Sequence, residues 1–174
     1  LYQLIKEGFE KDPKIKDACL EETVKLQSGE SESIKLWNQF KDITLSEANK
    51  IYKRLGIDFD LTLGESFYHD QLGPLVEDLL AKGIAEISDD AVCIFSNKEL
   101  DRKDDPLLVS RDGEWVPVPC MIRKNDGGYN YATTDIATID YRVNELKSDK
   151  ILYIVDDRQS LHFRQLFEVS RQRK

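Results

Sequence analysis

A near-continuous apolar run, KILYIV at residues 150–155, lies between two stretches with helical periodicity. A half-exposed strand alternates polar and apolar side chains. An unbroken apolar run instead predicts a strand covered on both faces, as in a parallel sheet. Helical patterns at 134–146 and 160–172 flank it and make it the strand of a right-handed α/β unit. Open α/β sheets bind small ligands at the carboxyl ends of their strands. The stretch from Asp126 to Gln165 reads as turn, short strand (129–131), helix, buried strand, polar loop and helix, and Tyr131, Asp135 and Gln159 all fall at its junctions.

Upstream, the period changes twice. From Leu1 to about Gly29 apolar residues recur at helical spacing, including Leu4, Ile5, Phe9, Ile15 and Val24, with a break marked by Pro13. A polar hinge at 29–33 follows. Ser31 is placed to cap a helix carrying Trp37, Phe40 and Ile43. A further helix is expected over about Ser46 to Leu55, with Gly56 stopping it. These helices are expected to pack as one appendage. IDFDLTL, 57–63, alternates strictly and predicts a half-buried strand. LGPLVEDLLAKG then predicts a helix ended by Gly83, and 84–95 a hairpin turning at Asp89-Asp90. Two more strands are expected on either side of a turn at Arg111-Asp112-Gly113.

Bulk properties exclude several classes. With 40% hydrophobic residues the chain can build a core, and its formal charge of −8 argues against nonspecific nucleic-acid binding, which needs clustered Lys and Arg. A local basic surface stays open at the end of the chain, where Arg164, Arg171, Arg173 and Lys174 face one acid, Glu168. Cys19, Cys93 and Cys120 are widely spaced and form no CxxC pair, so structural thiols in a reducing compartment fit better than a zinc site. No apolar run reaches the roughly 18 residues of a membrane span. The N-terminus has no signal-peptide pattern and no initiating Met, and it opens in mid-helix, as a segment of a longer protein would.

Glu65, Tyr131, Asp135 and Gln159 share a chemistry. Two carboxylates, a phenol and an amide suit a cationic ligand rich in N–H donors. A guanidinium presents such donors in a planar fork that carboxylates match bidentately. Two carboxylates alone would also suit magnesium. Taken singly, each residue has a plainer explanation. Asp135 in a first helical turn complements the dipole, Glu65 is a loop acid, and Tyr131 is a strand residue with a wet hydroxyl. His162, at the start of the last helix, is equally suited to a bound nucleotide or to a helix surface. His69 has no evident partner. Thr133 and Thr134 are good helix caps. No P-loop, GxGxxG or GxSxG occurs.

GGYNYATTDIATIDYR followed by DKILYIVDDRQSLHFRQLFEV resembles the catalytic core of arginyl-tRNA synthetases, which are class I aminoacyl-tRNA synthetases. The carriers are a Tyr-x-Thr-x-Asp strand–helix junction, then a strand, then a loop Gln shortly before a His. KLQSGESESIKLWNQFKDITLSEANKIYKRLGIDFDLTLGESFY resembles the upstream part of that family, through its KLQ-G, LW and GESF-Y signatures. The likeness covers nearly the whole chain and is least distinctive over about 89–118.

The resemblance implies an α/β fold, part of a Rossmann-like class I synthetase core with an N-terminal helical segment and antiparallel strands in the middle. It divides the chain into a helical piece of the catalytic-domain insertion, 1–56, and a partial catalytic core, 57–174. It implies an arginine site of Glu65, Tyr131, Asp135 and Gln159, with His162 near the nucleotide and no side chain acting as a nucleophile or metal ligand. The parent would be a cytoplasmic, monomeric ligase joining L-arginine to tRNA(Arg) through an arginyl-adenylate, using ATP with magnesium. The HIGH-type and KMSKS-type ATP motifs are both missing from this sequence. An inactive segment of such an enzyme is therefore expected. A stand-alone arginine-binding module or an interaction domain is the alternative.

Overall fold

The computed structural model describes residue 8 and residues 12–173. The chain divides into two compact units between Thr62 and Leu63.

The first unit is helical. Helix α1 (Pro13–Gln27) begins at Pro13, after the non-helical Asp12, so the proline marks a break by starting a new helix. Proline suits a first turn because the amide it lacks would have had no helical partner. The Asp12 side chain caps it by accepting from Lys14 N at 3.0 Å. The expected pattern at Leu4, Ile5 and Phe9 lies outside the described residues. Gly29, at φ 80°, turns the chain into α2 (Ser31–Leu55), capped by the Glu30 carboxylate rather than by Ser31.

The two helices expected over 31–55 are one, because Thr44 does not divert the backbone: its hydroxyl donates to the Phe40 carbonyl one turn back. Gly56, at φ 68°, stops α2 as expected. The segment 57–63 forms no strand, and Phe59 instead meets the Tyr52 ring edge-on at 4.9 Å. Alternation alone does not make a strand when no neighbouring strand offers hydrogen bonds. No described side chain of this unit is fully buried.

The second unit holds the core. A 3-10 turn (Glu65–Tyr68) leads into α3 (His69–Ala81), which buries Leu72, Leu75, Val76 and Leu79. Strands β1 (Glu86–Ser88) and β2 (Ala91–Ile94) form the expected hairpin, Ser88 opposite Ala91. Asp89 and Asp90 both take positive φ, 51° and 62°, as a tight hairpin turn with right-handed twist requires. Strands β3 (Leu108–Arg111) and β4 (Glu114–Pro117) pair about Asp112-Gly113, again as expected. Strand β5 (Cys120–Arg123) pairs antiparallel with β2, giving the sheet order β1-β2-β5.

Helices α4 (Tyr131–Asn144) and α5 (Ser160–Gln172) complete the unit. Ile136 and Ala137 of α4 and Leu166 and Val169 of α5 join the α3 residues, Val92, Ile94 and Ile122 in one cluster. The segment 151–155 departs from expectation. It joins no ladder, and Ile154 is 94% exposed. A parallel strand exists only beside other strands, and no described strand runs next to this one.

Candidate functional site

Helix α4 is the platform. Its N-cap is Asn130, whose side-chain oxygen accepts from Tyr131 N at 3.0 Å. The helix therefore starts three residues before the predicted 134, and Tyr131 opens it rather than ending a strand. Residues 129–131 contribute only an isolated bridge between Arg123 and Tyr129. Thr133 is structural, but not as a cap: it is buried, and its hydroxyl donates to the Ile122 carbonyl of β5. That bond ties the first turn of α4 to the sheet.

The earlier start changes the meaning of Asp135. It now lies beyond the first turn, so a role in complementing the helix dipole loses its force. Tyr131 and Asp135 are four apart and share a helix face, while Ala132, Thr133, Ile136 and Ala137 turn into the core.

Onto the Tyr131–Asp135 face comes His162, from the first turn of α5. Its Nε2 lies 2.6 Å from Asp135 Oδ2, with the two side chains 14% and 32% exposed. The imidazole meets the Tyr131 ring at a centroid distance of 4.7 Å and the Phe163 ring at 4.9 Å. Asp135 Oδ1 has no hydrogen-bond donor among the described residues. The face thus presents a half-buried carboxylate, oriented from one side and flanked by an aromatic ring. Chemically it is an acceptor for a cation with directed N–H groups.

The α4–α5 pair is held rigidly. Arg173 Nη1 and Nη2 donate to Asp140 Oδ1 and Oδ2 at 2.8 and 2.7 Å, a bidentate clamp. Arg171 Nε and Nη2 donate to the buried Glu168 at 2.8 and 2.6 Å, and its Nη1 reaches Glu99 at 2.6 Å. Burial opposes ionisation of Glu168, but the hydrogen bonds from Arg171 and Gln172 outweigh it and hold the carboxyl below its ordinary value. Gln165 Nε2 donates to the Val118 and Pro106 carbonyls at 2.9 and 3.1 Å. Arg164 donates to the Asp104 carbonyl at 3.1 Å. The arginines read as a local basic surface are therefore engaged in holding the fold.

Of the remaining predicted residues, Gln159 ends a 3-10 turn (Asp157–Gln159) leading into α5, exposed and one turn before His162. Glu65 opens the 3-10 turn that precedes α3 and is exposed. That turn packs on α4 through Phe67, whose ring meets Tyr141 at 5.0 Å. Tyr141 lies about 9 Å along the helix axis from Asp135. The structure brings Tyr131, Asp135 and His162 into contact, and it gives Glu65 and Gln159 no bond to them.

Tyr153 is the residue that periodicity hid. Within an otherwise aliphatic run its ring packs at a tilt against Phe163, centroids 4.8 Å apart, with the Arg142 guanidinium 5.3 Å from its centre. Its buried hydroxyl has no partner among the described residues. Burial pushes the phenol up, against the Arg142 charge that pulls it down. The signal was a lone phenol in an aliphatic segment. A separate cleft of about 870 Å³, lined in part by Phe95, Arg102, Glu114 and Trp115, contains none of the predicted residues.

The family model described as tRNA synthetases class I (R), catalytic domain, matches residues 1–174. The chain belongs to the class I arginyl-tRNA synthetase family. It is 41% identical over 172 residues to the arginine–tRNA ligase of Pseudomonas aeruginosa strain UCBPP-PA14, covering 98% of this chain and 27% of that protein. It is 42% identical over 173 residues to the arginine–tRNA ligase of Thermobifida fusca strain YX, covering 98% of this chain and 28% of that protein. The crystal structure of arginyl-tRNA synthetase from Plasmodium falciparum superposes with a TM-score of 0.72 at 28% identity, over 92% of this chain and 25% of that one. The chain thus spans about a quarter of the length of the relatives it matches. The mixed architecture of helices and antiparallel strands agrees with the synthetase fold expected from sequence. Within the synthetase family, the paired Asp135 and His162 become the part of the chain to test first.

Proposed function

We propose that this chain carries the arginine-recognition surface of an arginine–tRNA ligase, in which Asp135 is the principal acceptor for the substrate guanidinium. The carrying observation is the half-buried Asp135 carboxylate, oriented by His162 and flanked by Tyr131, in a chain matched over its full length by the synthetase family. The Tyr131 ring beside the bound cation adds a cation–π contribution of about 0.5–2 kcal/mol. Glu65 and Gln159 join when substrate is bound, one supplying a second carboxylate and the other an amide to orient the amino-acid end. Both are exposed and unengaged, which leaves them available. Residues 1–56 belong to a helical insertion of the catalytic domain and 57–174 to its core.

Selectivity against lysine follows from shape. A carboxylate arranged for a forked donor leaves an acceptor unpaired when offered a point-charge ammonium. Catalysis in such a reaction is positioning and charge stabilisation. This chain's residues bind and orient arginine while ATP is attacked by its carboxylate. The products are arginyl-adenylate and pyrophosphate, and arginine then passes to tRNA(Arg). Among the described residues no cluster of three or more His, Cys, Asp or Glu is suited to a metal. Magnesium would arrive with ATP. A cytoplasmic setting and a monomeric state are part of the same proposal.

The test is arginine-dependent ATP–pyrophosphate exchange by the protein that carries this chain, with lysine as the competitor. Exchange with arginine and none with lysine supports the reading, and equal rates overturn it. The 174-residue chain alone, lacking both ATP motifs, is expected to give no exchange.

A further inference from the structure

The residue bonded to the Asp135 carboxylate is the one that the family resemblance placed near the nucleotide. His162 Nε2 is already committed to Asp135 Oδ2 at 2.6 Å. The ring has little freedom to leave it, being 14% exposed and in edge contact with the rings of Tyr131 and Phe163. Nε2 is directed across to α4, so only Nδ1 is left for any other ligand, and the nitrogen at the end of the ring serves Asp135.

We propose that His162 is a positioning residue for arginine recognition. Its Nε2–H donates to Asp135 Oδ2 and fixes the plane of the carboxylate, so that Oδ1 and the second lone pair of Oδ2 meet the two N–H groups of the guanidinium fork. The proposal rests on the arginine reading above and adds the group that orients its acceptor. A carboxylate on a helix rotates freely about its terminal torsion, and a bidentate match requires one rotation out of the range. The Nε2–H bond removes that freedom before substrate arrives. The same ring also holds Tyr131, whose edge contact at 4.7 Å sets where the phenol stands relative to the carboxylate.

The test uses the full-length protein and steady-state ATP–pyrophosphate exchange. His162→Ala removes the donor. His162→Gln returns an N–H at nearly the same reach, so it is the rescue variant. Thermal melts confirm that both fold. His162→Ala is expected to raise the KM for arginine about 10-fold or more, the usual scale for losing a hydrogen bond to a charged group, with kcat and the KM for ATP within about 3-fold. His162→Gln is expected to stay within about 3-fold of wild type throughout, and His162→Ala placed on Asp135→Asn to add less than about 3-fold, because both act through one carboxylate. A rise in the KM for ATP with that for arginine unchanged would overturn the proposal in favour of a nucleotide contact. So would a Gln variant as impaired as Ala, or an undiminished effect of His162→Ala on the Asp135→Asn background. Absence of arginine-dependent exchange in the wild-type protein, assayed with tRNA(Arg) present, would overturn the arginine reading itself, and this proposal with it.

Discussion

Asp135→Asn is the perturbation with the most informative magnitude. The substitution keeps the side-chain shape and leaves α4 intact, since Asp135 lies beyond the first turn and is not its cap. It removes the negative charge and puts an amide where a carboxylate faced the ligand. Breaking a fully buried charge pair by truncating one partner costs about 2–5 kcal/mol. The Asp135 side chain is 32% exposed before substrate arrives, so solvent shares the load and the lower half of that range applies. A loss of about 2–3 kcal/mol is about 30- to 150-fold in kcat/KM for arginine. The assay is arginine-dependent ATP–pyrophosphate exchange in the full-length protein, with a thermal melt as control. The melting temperature should move by less than about 3 °C, because the charge makes no ion pair beyond the histidine contact. A variant within threefold of wild type would refute the placement of Asp135 in the pocket. An equal loss with every amino acid offered would refute its role in recognition.

Three further outcomes follow from the same geometry. Breaking the clamp between α4 and α5 with Asp140→Ala leaves the Arg173 guanidinium, 18% exposed, without its bidentate partner. The loss should be about 2 kcal/mol, between the surface and buried extremes, measured by denaturant titration and by a cycle with Arg173→Ala. Glu168 has a folded pKa below its ordinary 4.5, so its contribution to stability is complete above that value and is lost as the pH falls through the folded one. Glu168→Gln should therefore flatten the acid limb of the stability profile while lowering stability near neutrality. Burial pushes the Cys120 thiol up to about 11 and raises that of Cys93, whereas Cys19 is exposed. A thiol reagent at neutral pH should label Cys19 first and the other two only on unfolding, because the thiolate is the reactive form.

Elements governed by local chemistry were legible in the sequence. Asp89-Asp90 and Asp112-Gly113 named their hairpins because tight turns demand residues that accept positive φ. The Gly56 stop and the helix over 160–172 were legible for the same kind of reason. Features defined by a partner were not. The run at 151–155 has the composition of a covered strand, yet strand pairing is a relation between segments, and no described strand lies alongside. Thr133 resembles a cap, but the Ile122 carbonyl captures its hydroxyl and Asn130 takes the cap position. The Asp135–His162 contact joins residues 27 apart, and neither residue's surroundings in sequence announce the other. Residue types and junctions can suggest which side chains carry chemistry, but only the packing of α5 on α4 says which of them meet.

The most direct measurement is a crystal structure of the full-length protein soaked with L-arginine in the absence of ATP. The guanidinium is expected within hydrogen-bond distance of the Asp135 carboxylate, about 2.7–2.9 Å, with the Tyr131 ring alongside and His162 still bonded to Oδ2. Arginine bound elsewhere with Asp135 untouched, or His162 swung away from Asp135 when arginine is seated, would contradict it.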